Sequence, residues 1–208
     1  MAAAIGLGNP SALNLAISFD GINIIEAGSA SATSGTGDFA IAIGPDSSAT
    51  ATGGIFDSAF ADGVQSSATA GGVAGDNFDS ATATGAESTA IAGDNGTGII
   101  SSNDTAIVFD GPMGFAQAYA GNSDTAIVFD GANAFATAYQ GNMDFAAVFD
   151  GADSTATAGQ GNMDLAAVFD GADSTANAGQ GNMDFAAVFA DVLDAHATFG
   201  SNLFDILP

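Results

Sequence analysis

The sequence predicts an all-β fold: a β-solenoid with coils of about 20 residues, each made of two short strands around a thin Ala/Val core. Three observations carry this. A twenty-residue unit recurs from Ser101 onward as SSNDTAIVFDGPMGFAQAYA, GNSDTAIVFDGANAFATAYQ, GNMDFAAVFDGADSTATAGQ, GNMDLAAVFDGADSTANAGQ and the degenerate GNMDFAAVFADVLDAHATFG. Within each unit the residues alternate with period two over about five positions, which is the strand signature. Gly-, Asn- or Asp-rich corners break the alternation about every ten residues, so no i, i+3, i+4 stripe survives to support a helix.

Each unit divides into two halves. D-x-A-x-V-F-D-G supplies one strand and x-A-x-A the other, and each closes on a corner. The same half-repeat runs earlier with irregular corners, as FAIAIGPD, SATATGG, SAFADG, SATAGG, SATATG and TAIAGD. Residues 71–78 and 93–103 are longer interruptions, expected to bulge as loops from a regular stack. The expected organisation is an N-terminal segment or cap over residues 1–36, solenoid repeats over 37–189, and a C-terminal cap or docking segment over 190–208.

The inward parity is the constant one. Ala40 and Ala42, Ala49 and Ala51, Ala59 and Ala61, Ala68 and Ala70, Ala81 and Ala83, and Ala90 and Ala92 hold it early. Ala106 and Val108, Ala116 and Ala118, Ala126 and Val128, Ala136 and Ala138, Ala146 and Val148, and Ala156 and Ala158 hold it later. A packed interior tolerates little change of volume and a surface tolerates much, so this parity is assigned to the core. About eight coils spaced by ~4.8 Å would form a rod on the order of 40 Å long.

The assignment leaves an unusual outward face on the first strand. It carries Thr105, Ile107 and Phe109; Thr125, Ile127 and Phe129; Phe145, Ala147 and Phe149; Leu165, Ala167 and Phe169; and Phe185, Ala187 and Phe189. The rings at Phe109, Phe129, Phe149, Phe169 and Phe189 are expected to stack in a column, and a contiguous apolar patch of that kind marks an interface. The opposite parity would make these rings the core. With Leu203, Phe204, Ile206 and Leu207 near the C-terminus, the column is the candidate surface for self-association, together with the unpaired strand edges at the coil ends. The second strand shows Thr155, Thr157, Thr175, Asn177, Thr50, Thr52, Thr82 and Thr84 instead, interrupted by Phe115, Tyr119, Phe135 and Tyr139. Flat Thr-x-Thr arrays resemble ice-binding faces, although Thr is also simply a good exposed strand residue.

The chain has 24 acidic residues, no Lys or Arg, and a formal net charge of -24. Asp104, Asp124, Asp144, Asp164 and Asp184 recur every twenty residues, as do Asp110, Asp130, Asp150 and Asp170. Stacked at ~4.8 Å, neighbouring carboxylates repel by about 1 kcal/mol in water and several-fold more at an effective dielectric near 20. Cations along the columns, protonation, or capping of corner amides would each relieve this. Calcium is the candidate cation, since it takes carboxylate and carbonyl oxygens. The D-x-[DN]-x-[DN]-G loop and the glycine-rich nonapeptide of calcium-binding β-rolls are both missing, so corner capping is the alternative.

The same composition excludes other roles. With no basic side chain the phosphate attraction that dominates nucleic-acid affinity is lacking, so no nucleic-acid partner is expected. No apolar run approaches the roughly 20 residues of a membrane-spanning helix, and no membrane span is expected. Zero cysteine removes disulfides and thiolate chemistry. His196 is the sole histidine, in the degenerate last unit, and no nucleophile constellation accompanies it, so no enzymatic activity is expected. Asn95-Gly-Thr97 and Asn103-Asp-Thr105 match glycosylation sequons. The opening MAAAIGLGNPSALNLAI lacks the positive n-region of a signal peptide.

GDFAIAIGPDSSATATGG and SATATGAESTAIAG, within residues 37–94, resemble the head repeats of trimeric autotransporter adhesins, which alternate S-x-A-x-A-x-G in a β-roll. The period near twenty departs from the shorter adhesin unit, and no coiled-coil stalk follows. The D-x-A-x-V-F-D-G blocks and the closing NLFDILP also look like Ala/Gly-rich secreted repeat proteins of actinobacteria, mycobacteria in particular. The resemblance implies export and a surface location. The expected function is therefore that of a secreted or cell-surface structural protein that assembles into a homo-oligomer or fibre. The alternative is an adhesin or ligand-binding rod, calcium-stabilised in one version; an ice-binding protein is the third.

Overall fold

The computed structural model describes residues 13–51, 53–93, 100–109, 113–129, 133–149, 153–169, 175–188, 195–196 and 204–207. The chain is an all-β solenoid of about seven turns. One sheet is built from the first strand of each coil. In chain order it holds β1 (Leu15–Phe19), β2 (Ile22–Ala27), β4 (Phe39–Ile43), β6 (Ser58–Asp62), β8 (Ser80–Thr84), β10 (Thr105–Val108), β12 (Thr125–Ile127), β13 (Phe145–Ala147), β15 (Leu165–Ala167), β17 (Phe185–Val188) and β19 (Phe204–Leu207). The second strands form the opposite wall in two sheets. The first of these holds β3 (Ser31–Ser34), β5 (Ser48–Ala51), β7 (Ser67–Ala70), β9 (Thr89–Ile91) and β11 (Phe115–Ala116). The other holds β14 (Thr155–Thr157), β16 (Thr175–Asn177) and β18 (Ala195–His196). A lone bridge from Thr137 to Thr157 represents the coil between them.

Among β3 and the strands after it every pairing is parallel, and in the core columns like stacks on like. Ala59 pairs with Ala81, Ala81 with Ala106, Ala106 with Ala126 and Ala126 with Ala146. The column holds register although successive coils are offset by 22, 25 and then 20 residues. Extra residues are thus absorbed at corners, as expected of the interruption at 71–78; residues 94–99 of the second interruption lie outside the described residues.

The Ala/Val parity is the core. Ala106, Val108, Ala126, Val128, Ala146, Val148, Ala166 and Val168 are fully buried, and the facing wall contributes Ala116, Ala136, Ala156 and Ala176. Methyl groups bury little area, at about 25 cal/mol per Å². Much of the cohesion therefore lies in the inter-coil backbone bonds, such as Thr105 N–H to Asp124 O at 2.9 Å and Thr125 N–H to Asp144 O at 2.8 Å.

β1 runs antiparallel to both β2 and β4, so a hairpin closes the N-terminal end of the large sheet. Its two-residue turn, Asp20-Gly21, has φ of 51° and 74°, the pair of left-handed residues of a type I′ turn. The parallel stack also begins before residue 37, since β3 already pairs with β5. At the other end the backbone of β18 and β19 continues the parallel stack past residue 189, through Ala176 with Ala195 and Phe185 with Phe204.

Candidate functional site

The corners entering β6, β8, β10, β12, β13, β15 and β17 are built alike. The residue before the aspartate is left-handed: Phe56, Phe78, Asn103, Ser123, Met143, Met163 and Met183 have φ between 59° and 66°. That conformation costs a non-glycine residue about 1–2 kcal/mol. Hydrogen bonds to the coil before hold it, for example Met143 N–H to Asn122 O at 2.9 Å and Met163 N–H to Asn142 O at 2.9 Å. Beside these bonds runs an amide ladder, in which Asn122, Asn142 and Asn162 donate through Nδ2 to Oδ1 of Asn142, Asn162 and Asn182 at 2.7–2.9 Å. The left-handed residue turns the chain so that the following aspartate points inward.

The result is a buried aspartate ladder. Asp38, Asp57, Asp79, Asp104, Asp124, Asp144, Asp164 and Asp184 are each 0–1% exposed. Oδ1 of each of the first seven accepts the backbone N–H of the aspartate one coil on, at 2.9–3.0 Å. The side chain supplies an acceptor to an amide that the corner would otherwise orphan. The second oxygen is treated unequally. Oδ2 of Asp164 accepts Gly161 N–H at 3.1 Å and Oδ2 of Asp184 accepts Gly181 N–H at 2.9 Å. Oδ2 of Asp38, Asp57, Asp79, Asp104, Asp124 and Asp144 is buried with no hydrogen-bond partner among the described residues, although the Ser101 hydroxyl lies near enough to Asp104 to favour its charge. Near Asp144 the Gly141 amide is close enough to favour the charge without reaching hydrogen-bond geometry.

A carboxylate in this position is desolvated, sits beside further carboxylates and has no cation to face. Burial is the largest cause and pushes Asp57 up to about 7, Asp79 to about 6, Asp104 to about 8, and Asp124 and Asp144 to about 7. The amide on Oδ1 pulls each back, and the charges of neighbouring aspartates raise it again. Asp38 and Asp164 are also raised by burial. The cover over the ladder is thin, so desolvation is partial even where no surface is exposed.

Corner capping, weighed against calcium from the sequence, is the geometry that Asp104, Asp124, Asp144, Asp164 and Asp184 adopt. Oδ1 of each rung is already taken by an amide, which leaves a cation only the single Oδ2 of a rung unless an amide is displaced. The described residues include no cluster of three acidic or histidine side chains placed to share a metal ion. Asp110, Asp130, Asp150 and Asp170 lie outside the described residues. Replacing Asp124 with Ala leaves the Asp144 amide without its acceptor in a buried corner, and thermal melts should record a loss of about 1–3 kcal/mol. Asp124→Asn keeps the Oδ1 acceptor and removes the charge, so it should lose far less and should shrink the pH dependence of the melt.

On the outward face of the large sheet the phenylalanines stack. Ring centroids are 5.1 Å apart for Phe109–Phe129, 5.0 Å for Phe129–Phe149 and 4.8 Å for Phe149–Phe169, with interplanar angles of 8°, 19° and 6°. Phe109 is 42% exposed and the next three rings are half-buried. Ile107, Ile127, Phe145, Leu165 and Phe185 line the same face, half-buried. Ala147, Ala167 and Ala187 have the outward parity but are 0–2% exposed. They sit between the Phe145–Leu165–Phe185 row and the phenylalanine column, whose larger side chains close over them. Phe189 and Leu203 lie outside the described residues, as do the side chains of Phe204, Ile206, Leu207 and His196.

The face extends further than the repeat region suggested. At its N-terminal end Phe19, Ile22, Ile24, Phe39 and Ile43 are all exposed, and Phe19 packs edge-on against Phe39 at 6.4 Å. Between the two ends one register column is polar, through Ser58, Ser80, Thr105 and Thr125, while the column beside it stays apolar through Ile41, Phe60, Ile107 and Ile127 with Thr82 as its one break. On the opposite wall Thr50, Thr155, Thr157 and Thr175 are half-buried, Asn177 is exposed, and Tyr119 stacks on Tyr139 at 5.7 Å. In comparisons with known proteins, no family model, no curated protein and no solved structure matches the chain.

Proposed function

We propose that the chain is a structural protein, secreted or displayed at a cell surface, whose rods associate with one another through the outward face of the large sheet. The stacked column Phe109–Phe129–Phe149–Phe169 carries this reading. Face-to-face rings held by the coil spacing form a flat, ordered apolar strip, and contiguous strips of that kind mark association surfaces. The role is mechanical. The likeness of SATATGG and its neighbours to adhesin heads supports the location.

A second copy is the occupant best suited to the strip, because both strips present the same repeat and can align ring column against ring column. The formal charge of -24 opposes association. Salt screens that repulsion and mild acid reduces it, so association should strengthen under both conditions. Sedimentation velocity of the wild type and of the Phe129→Ser/Phe149→Ser double variant tests this. The wild type should form oligomers in high salt that the double variant does not form. Monomeric wild-type protein throughout, or equal association by both proteins, would refute it.

A further inference from the structure

We propose that the hollow beside Tyr139 is a binding site for a neutral saccharide. Tyr119 and Tyr139 occupy one position of successive repeats, and their rings stack 5.7 Å apart at 10°. The next two repeats carry Gly159 and Gly179 at that position. The aromatic column therefore stops at Tyr139, and an open hollow of about 180 Å³ takes the place of the next ring. That is smaller than the roughly 300–1,000 Å³ of drug-sized sites and suits a single sugar ring seated at the surface. Besides Tyr139 its walls are Thr157, Gln160, Asn177 and Gln180.

The hollow is built into the backbone. A Cβ on Gly159 would lie 1.8 Å from the Gly179 carbonyl oxygen and 2.4 Å from Oδ2 of Asp164. No side chain can grow from this position to fill the space while the coils keep their register.

The lining selects the ligand class. It offers one aromatic wall, three side-chain amides and a hydroxyl, and no charged group. No described residue bonds the amides of Gln160, Asn177 or Gln180. An amide both donates and accepts, as a sugar hydroxyl does, while the apolar C–H face of a pyranose covers an aromatic ring. Anionic ligands are repelled by a chain with 24 acidic residues and no Lys or Arg. A planar aromatic ligand could stack on Tyr139 but would leave the amides unused.

The site does not depend on self-association, and the phenylalanine column lies on the opposite wall. The chain has two tyrosines and no tryptophan, so tyrosine emission comes from Tyr139 in this site and from Tyr119 stacked on it. Titration with maltohexaose, cellohexaose and chitohexaose at millimolar concentration should change tyrosine emission for at least one of them, with matching ligand-observed NMR. For that saccharide Tyr139→Ala should weaken binding about tenfold, corresponding to ~1.4 kcal/mol. Gln160→Ala should weaken it severalfold, and Tyr139→Phe should retain it by NMR. Phe129→Ser/Phe149→Ser should bind as wild type does, which separates this result from the fate of the association reading. Absence of a response to all three saccharides, a response to indole alone, or unchanged binding by a folded Tyr139→Ala protein would each overturn the assignment.

Discussion

The melting temperature is expected to fall by about 10 °C as the pH is raised from about 5 to about 8. Most proteins gain stability over part of this range, because their carboxylates are better stabilised as anions when folded. Here the direction reverses. Burial raises Asp57, Asp104, Asp124 and Asp144 to about 7 or 8 and Asp79 to about 6. In the unfolded chain the same groups release their protons near 4. Between those values the folded chain holds protons that the unfolded chain does not, and where the native state binds more protons stability declines with pH. The contribution is complete below about pH 4 and is withdrawn through about pH 6 to 8. A tenfold change in proton affinity at a single site corresponds to about 1.36 kcal/mol. Neighbouring carboxylates titrate together rather than independently, so the ladder is assigned about 4 kcal/mol, the worth of one carboxyl raised from near 4 to about 7. Thermal melts by circular dichroism across this range read the slope directly, and a melting temperature that is flat or rises with pH would contradict the ladder's protonation.

Gly161→Ala should cost about 3 kcal/mol or more and could leave the last coils unfolded. A Cβ at this corner would stand 1.2 Å from the Gly181 carbonyl oxygen and 2.9 Å from Oδ2 of Asp164. The colliding atom is backbone of the next coil and cannot rotate aside. Relief requires moving either the Asn162–Asn182 amide ladder or the Asp184 N–H bond to Asp164, and both belong to the same corner. Thr155→Ala, on the half-buried outer face of β14, should stay within about 0.5 kcal/mol and serves as the comparison. Similar denaturant midpoints for the two variants would show that the coils slide more freely than this packing allows.

The repeat made much of the architecture legible. Period-two alternation with a constant Ala/Val parity places Ala126 and Val128 inside and Phe129 at the surface, as the burial of these residues shows. Other features were hidden for identifiable reasons. The aspartate ladder reaches back to Asp38, Asp57 and Asp79, but offsets of 19, 22 and 25 residues conceal the column that a constant twenty reveals further on. Which way an aspartate points depends on the left-handed residue before it, and that residue is variously Phe, Asn, Ser or Met. The Asp20-Gly21 hairpin shares its F-D-G string with the repeat units, so the local signal could not separate a reversal of direction from a coil corner. Burial of Ala147 and Ala167 is a tertiary effect of neighbouring ridges, which parity does not encode.

Protonation also links the interior to the proposed assembly. Mild acid keeps the ladder neutral and lowers the surface charge, so conditions that favour the fold should also favour contact between rods. The claim beneath both effects is that this chain, lacking any basic residue, tolerates a column of buried aspartates by keeping protons on it. A carbon-13 NMR titration of the aspartate side-chain carboxyls tests that claim site by site. The account predicts midpoints of about 7 to 8 for Asp57, Asp104, Asp124 and Asp144 and about 6 for Asp79. Midpoints below about 5 at all of these positions, in the range of ordinary exposed carboxylates, would contradict it.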